Sequence, residues 1–250
     1  MIKIIFKKSI EILGYKIIRK TSINNAPAAI DNNYEFSMFA ALKRCIDRGI
    51  NINTVIDVGA SDGSWTRDCL KILPSADYLL IEAQEPHKLE LDNLKKENDK
   101  VNYILAAAGN RDGVIYFDNS GLFGGLASES KLERNCIEVP VIRIDNEIQK
   151  QNMEGPYLIK LDTHGFEVPI IEGASNILEQ AELVIIETYN YQLTKDSLKF
   201  YQMCEYMDKK GFYPIEMVDF MLRKYDNSFW QMDTFFIRKN RKEFSYNSYE

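Results

Sequence analysis

No CxxC pair occurs among the four cysteines, Cys45, Cys69, Cys136 and Cys204, and only two histidines, His87 and His164, stand beside them. A structural zinc site therefore has almost no ligands to draw on, and the thiols read as those of a reducing compartment. No stretch reaches the ~18 uninterrupted apolar residues of a membrane span, and the N-terminus lacks the small-residue cleavage site of a secretion signal. The expected location is cytoplasmic. An excess of basic charge is missing as well: 31 Lys and Arg against 37 Asp and Glu leave a net −6, which argues against nucleic acid as a partner. The 250 residues are 45% hydrophobic and 12% aromatic, enough for a sizeable core, so general disorder is excluded.

Charge is uneven along the chain. Lys3, Lys7, Lys8, Lys16, Arg19 and Lys20 against Glu11 make residues 1–20 net +5 and leave −11 on the remainder. Ile2, Ile5, Phe6, Ile10, Leu13 and Ile17 recur at helical spacing, which predicts a basic amphipathic helix over 1–20, followed by a polar linker at 21–33. Such a helix either lies on an anionic membrane surface, here the inner face, or packs on the core or on a second subunit of a homo-oligomer. Residues 34–250 are expected to form a single domain.

From about residue 51 short apolar runs alternate with helix-compatible segments. TVIDVGA (54–60), DYLLIEA (77–83), NYILAAAG (102–109), YLIKLDTHG (157–165) and ELVIIET (182–188) read as strands buried on both faces. Helices are expected at 64–73, 86–98, 166–179 and 194–210. Alternation of this kind argues for an α/β fold, a parallel sheet with helices on both faces. GFYPIEM (211–217) and DTFFIRK (233–239) suit an antiparallel hairpin finishing that sheet, with a long connection between them. Residues 110–145 break the rhythm: VIYFD (114–118), a Gly/Ser-rich stretch at 118–130 and VPVIRID (139–145) predict an inserted strand pair carrying a loop of the kind that forms lids.

The first strand runs into a glycine turn, Asp57-Val58-Gly59-Ala60-Ser61-Asp62-Gly63. Its G-x-x-x-G spacing is not the G-x-G-x-x-G that cradles a diphosphate, which weighs against a dinucleotide oxidoreductase. The acid two residues before the first glycine points instead to a cationic ligand group. Glu82, at the end of the second strand, is placed where an acid accepts both hydroxyls of a ribose. Asp162 closes a strand expected beside the first, at the sheet edge where ligands of open α/β sheets bind.

DVGASDG, EAQEPHKLELDNLKKEN (82–98) and IKLDTHGFEVPIIEGASNIL (159–178) resemble the FkbM-type methyltransferases over about residues 50–240. The K-x-D-x-x-G-x-E run followed by Gly-Ala is specific to that family, and Ser61 stands where the family usually has Asn. The resemblance implies a Rossmann-like seven-stranded methyltransferase sheet and S-adenosyl-L-methionine as cofactor. It further implies O-methylation of a hydroxyl on a sugar, polysaccharide or secondary metabolite, so the partner is a small-molecule or glycan acceptor. Asp57 with Gly59, Ala60, Ser61 and Gly63 would hold the methionine moiety, Glu82 the ribose hydroxyls, and Ala83 would lie against the adenine.

By the same resemblance Asp162 would face the transferring methyl, with His164, the only histidine near the expected site, as a second catalytic candidate. His164 reads equally as a cap residue after the strand. Glu187 and Tyr189, at the end of the fifth strand, are candidates for the acceptor pocket, and Glu187 reads equally as a cap. Glu167 is expected to complement its helix dipole. A metal would need a carboxylate partner for Asp162 such as Glu187; no HxxE-like cluster asks for one, and none is assigned. A non-catalytic scaffold of the same fold is the remaining alternative, since fold does not imply function.

Overall fold

The computed structural model describes residues 35–133 and 135–249; the basic segment 1–20 and the linker 21–33 lie outside them. The strands are β1 (Thr54–Val58), β2 (Asp77–Glu82), β3 (Val101–Leu105), β4 (Ala107–Ala108), β5 (Gly113–Asp118) and β6 (Leu126–Ser128), then β7 (Cys136–Ile142), β8 (Tyr157–Leu161), β9 (Ala181–Tyr189), β10 (Phe212–Leu222) and β11 (Phe229–Arg238). The helices are α1 (Met38–Asp47), α2 (Ser64–Cys69), α3 (Lys88–Glu97), α4 (Ile144–Gln151), α5 (Glu167–Gly173), α6 (Ser175–Leu178) and α7 (Phe200–Lys209), with a 3-10 turn at Glu85–His87. Among the described residues no helix is long and apolar enough to cross a membrane.

Seven strands form one sheet in the order β10-β11-β9-β8-β1-β2-β3. The five consecutive strands β9, β8, β1, β2 and β3 run parallel, and β11 enters antiparallel between β9 and β10. Because side chains alternate across a strand, the two faces carry different cores. Ile56, Val58, Leu79, Ile81, Ile159 and Ile186 belong to one apolar cluster, and Val55, Tyr78, Leu80, Leu158, Leu183 and Ile185 to the other. Every residue of β1 and β8 is buried, as continuous apolar runs covered by helices on both sides require. Strand order reverses at β1, between β2 and β8, and at such a point the chain leaves a crevice beyond the carboxyl ends of the strands.

Departures from the sequence reading have local causes. The expected strand 102–109 is two strands: after β3 the chain leaves the main sheet, and β4 pairs with β7 instead. The insertion is thus part of a four-stranded sheet, β4-β7-β5-β6, rather than a strand pair. At 166–179 the helix breaks at Ala174 into α5 and α6. Gly173 lies so close to β4 that a Cβ there would stand 1.8 Å from the Gly109 carbonyl oxygen. The C-terminal hairpin is present, but its strands extend to Leu222 and from Phe229, so its connection is short. Register shifts in β10 between Val218 and Leu222 blur the alternation that marks a strand. Helices α1 and α4 were not expected. The first is capped by the Ser37 hydroxyl, which accepts from Ala40 N, and is pinned to β10 by Arg44, whose guanidinium donates to both oxygens of Glu216.

Candidate active site

The turn after β1 takes its shape from its neighbours. Gly59, Ser61 and Gly63 have φ of +77°, +52° and +76°, and a Cβ on Gly59 would stand 2.1 Å from the Asp162 carbonyl oxygen. The glycine therefore lets β1 and the segment after β8 close at the switch point. With the turn so held, Ser61 N donates to Glu82 Oε2 at 2.7 Å, and Gln84 N donates to Glu82 Oε1 at 2.7 Å. Burial pushes the Glu82 carboxyl up from its ordinary value, and the two backbone N–H groups oppose that shift. Each oxygen spends one lone pair on the backbone and keeps another for an incoming donor.

Beyond Glu82 lies a cavity of about 490 Å³, within the roughly 300–1,000 Å³ usual for small-molecule sites. One end is apolar, walled by Ala83, Ala106, Ala107 and Phe117. It is covered by the loop between β5 and β6, which Gln84 Nε2 ties down by donating to the carbonyls of Gly121 (3.1 Å) and Leu122 (3.0 Å). His87 Nε2 donates to the same Leu122 carbonyl at 2.8 Å, and its ring lies 5.5 Å from that of Phe123. The inserted loop thus forms one wall of the cavity. His87 also lines it, so His164 is not the only histidine there. Its place in the EPHK turn after Glu82 was the available signal, since the first turn after a strand faces the crevice.

At the other end the cavity is charged. Asp57 and Lys160 are register partners on β1 and β8 and point to the same face. Lys160 Nζ lies 3.5 Å from Asp57 Oδ1 and 3.2 Å from Asp162 Oδ2, while Thr66 Oγ1 donates to Asp57 Oδ2 at 2.7 Å. Burial works against the Lys160 ammonium, but Asp57, Asp162 and Asp233 outweigh it and hold its pKa above the ordinary lysine value. For Asp162 burial pushes upward, yet Lys160 and His164 hold it below the usual carboxylate range.

His164, at φ +52°, places Nδ1 3.1 Å from Glu187 Oε2, 2.8 Å from Tyr189 Oη and 4.0 Å from Asp162 Oδ1. The hydrogen bond to Glu187 raises its pKa against the effect of burial. Tyr189 Oη and Gln231 Nε2 both donate to Glu187. Glu167 folds back instead, accepting from Gly165 N and Thr163 Oγ1.

The structure therefore brings Gly59, Ser61, Glu82, Ala83, Asp162, His164 and Glu187 to one cavity. Four expected site residues stand behind it. Asp57 is fully buried behind Lys160, Ala60 packs in a core cluster, Gly63 caps α2 against Leu94, and Tyr189 is a buried partner of His164. Lys160, His87, Gln84 and Gln231 were not assigned from the sequence.

A parallel sheet with one antiparallel strand near its edge and helices on both faces defines an α/β Rossmann-like fold. Residues 57–214 match the profile of the Methyltransferase FkbM domain, and the chain belongs to that family. No curated protein matches. Among solved structures, the methyltransferase FkbM from Methylobacillus flagellatus KT is 14% identical with a TM-score of 0.48, over 73% of this chain and 43% of that one. The chain thus spans less than half the length of the Methylobacillus protein. Magnesium protoporphyrin IX methyltransferase from Synechocystis PCC 6803 is 10% identical with a TM-score of 0.45, over 94% and 96% of the two chains. A Burkholderia thailandensis 1,6-didemethyltoxoflavin-N1-methyltransferase is 12% identical with a TM-score of 0.45, over 83% and 79%.

The cavity fits the cofactor this family implies. A buried carboxylate with a free lone pair on each oxygen suits two adjacent ribose hydroxyls, the apolar end suits a planar base, and the acidic end suits a sulfonium and an ammonium group.

Proposed function

We propose that the chain transfers a methyl group from S-adenosyl-L-methionine to a hydroxyl of a sugar, polysaccharide or secondary metabolite. The observation that carries this reading is the two-ended cavity, with Glu82 held by two backbone N–H groups at one end and Asp162, His164 and Glu187 together at the other. Glu82 accepts the ribose hydroxyls, and Ala83 with the loop at 121–125 encloses the adenine. The Gly59–Gly63 turn carries the methionine moiety, with Asp57 acting on it only through Lys160. The cofactor supplies a methyl group already activated on a sulfonium. The acceptor oxygen has to be aligned and its proton given somewhere to go, and Asp162, His164 and Glu187 line the place where this happens. The acceptor's shape is read by the same cavity, which Met221 and Gln231 also line, Gln231 donating to Glu187.

We place the reaction in the cytoplasm, at the inner face of the membrane if residues 1–20 engage anionic lipid. The test of the reading is thermal: S-adenosylhomocysteine raises the melting temperature by mass action on the folded state, and NAD does not. A rise with NAD and none with S-adenosylhomocysteine would assign the cavity to dinucleotide chemistry, and no rise with either would leave a scaffold.

A further inference from the structure

Asp162 and Glu187 come from the ends of different strands, β8 and β9, and a carboxylate oxygen of each lies within 4.8 Å of the other on the cavity wall. Two carboxylates so close repel unless a proton or a cation lies between them. Lys160 does not fill that place, because its ammonium is shared between Asp57 Oδ1 and the far oxygen of Asp162, Oδ2. Asp162 Oδ1 lies on the side of His164, whose Nδ1 stands off at 4.0 Å, too far for a hydrogen bond.

The same spacing suits an ion. Ligands held ~2.0–2.3 Å from one centre lie roughly 3 Å apart when adjacent and up to about 4.5 Å apart when opposed. His164 Nδ1 is 3.1 Å from Glu187 Oε2 and 4.0 Å from Asp162 Oδ1, and one ligand atom from each of the three residues lies within 4.8 Å of the others. The donor set is two carboxylates and one imidazole, with no thiolate. That combination suits a hard, six-coordinate divalent cation better than a closed zinc site, and three protein ligands leave positions for water and for substrate.

We infer that Asp162, His164 and Glu187 form a binding site for a divalent cation of the Mg²⁺/Mn²⁺ class, which holds the acceptor hydroxyl in the cavity. The ion lowers the pKa of an oxygen it binds, so the acceptor proton passes to water as the new O–C bond forms and the C–S electron pair stays on sulfur. His164 is then a ligand through Nδ1 rather than the base. Tyr189 and Gln231, both donating to Glu187, are the outer partners that orient that ligand. The inference departs from the sequence reading, which assigned no metal, because sequence spacing could not show that Glu187 and His164 meet Asp162. The ion's role in catalysis rests on the reading of the cavity as a methyltransferase site, whereas its binding does not.

The test uses the full chain stripped with EDTA and titrated with Mn²⁺ alone, following the loss of the free-ion paramagnetic resonance signal. One Mn²⁺ binds per chain, and Glu187→Gln weakens it by about tenfold or more, since affinity follows ligand charge. Asp162→Asn, which keeps the side-chain shape, is the second variant and behaves alike. Cooperative thermal unfolding, followed in parallel without metal, reports that each variant is folded. Absence of bound Mn²⁺ in the wild type, or equal affinity in both folded variants, overturns the site. Failure of S-adenosylhomocysteine to bind the wild type overturns the methyltransferase reading instead, whatever Mn²⁺ does.

Discussion

Asp57 on β1 and Lys160 on β8 are register partners that meet as an ion pair beneath the candidate site, at 0% and 4% exposure. Lys160 Nζ continues to Asp162 Oδ2 and lies 5.3 Å over the Trp65 ring. The pair therefore ties the sheet interior to the cavity wall. A buried pair contributes little net stability once desolvation is counted, but removing one partner strands the other's charge.

Lys160→Met should accordingly destabilise the fold by roughly 3–5 kcal/mol, the usual cost of an uncompensated buried charge. Adding Asp57→Asn should return most of that loss. Denaturant unfolding of the two variants measures it, and a single variant as stable as the wild type would contradict the pairing.

Thiol chemistry tests the core independently. Cys45 and Cys69 are fully buried, and Cys136 and Cys204 are partly exposed free thiols. Burial pushes Cys45 up to about 11 and Cys69 up to about 12, above the ~8.5 of an unfolded thiol. The folded state thus keeps these protons where the unfolded chain releases them. Their contribution to stability is complete below about pH 8.5 and is lost as pH rises toward the folded values. A thiol reagent should find two groups in the native protein and four in denaturant. The melting temperature should fall above pH 8.5 less steeply in Cys69→Ala than in the wild type.

The loop over the apolar end of the cavity is tied down by Gln84 and His87, which donate to the carbonyls of Gly121 and Leu122. At roughly 0.5–1.5 kcal/mol for each hydrogen bond, the double variant Gln84→Ala/His87→Ala should speed amide exchange at residues 119–125. It should also weaken S-adenosylhomocysteine about tenfold. Unchanged exchange would separate the loop from the cavity.

Much of this arrangement was legible in the sequence, and the exceptions share a cause. Four of the parallel strands, β1, β2, β8 and β9, were visible because they are buried on both faces and so read as nearly unbroken apolar runs, and Glu82 and Asp162 stood out as acids at the ends of such runs. Periodicity did not reveal α1, because two of its five buried positions, Ala40 and Ala41, are alanines that add little apolar signal beside Met38, Leu42 and Cys45. Nor could it reveal β6, three residues within a glycine-rich loop. Lys160 escaped assignment because a lysine inside an apolar run has no local signal for its partner: Asp57 is a register neighbour 103 positions away in the chain. The meeting of Asp162, His164 and Glu187 is tertiary in the same way. The displacement of Asp57 behind Lys160 follows from strand alternation, which turns it to the face opposite Ile56 and Val58.

The central claim is that Glu82 is the ribose acceptor of an S-adenosylmethionine site, and a calorimetric titration of S-adenosylhomocysteine into wild type and Glu82→Ala tests it most directly. Loss of a charged acceptor for two hydroxyls should cost about 2 kcal/mol or more, roughly a thirtyfold fall in affinity. Binding at one site per wild-type chain is expected, with that loss in a variant that still melts cooperatively. Equal affinity in the two proteins, or no binding to the wild type, would contradict it.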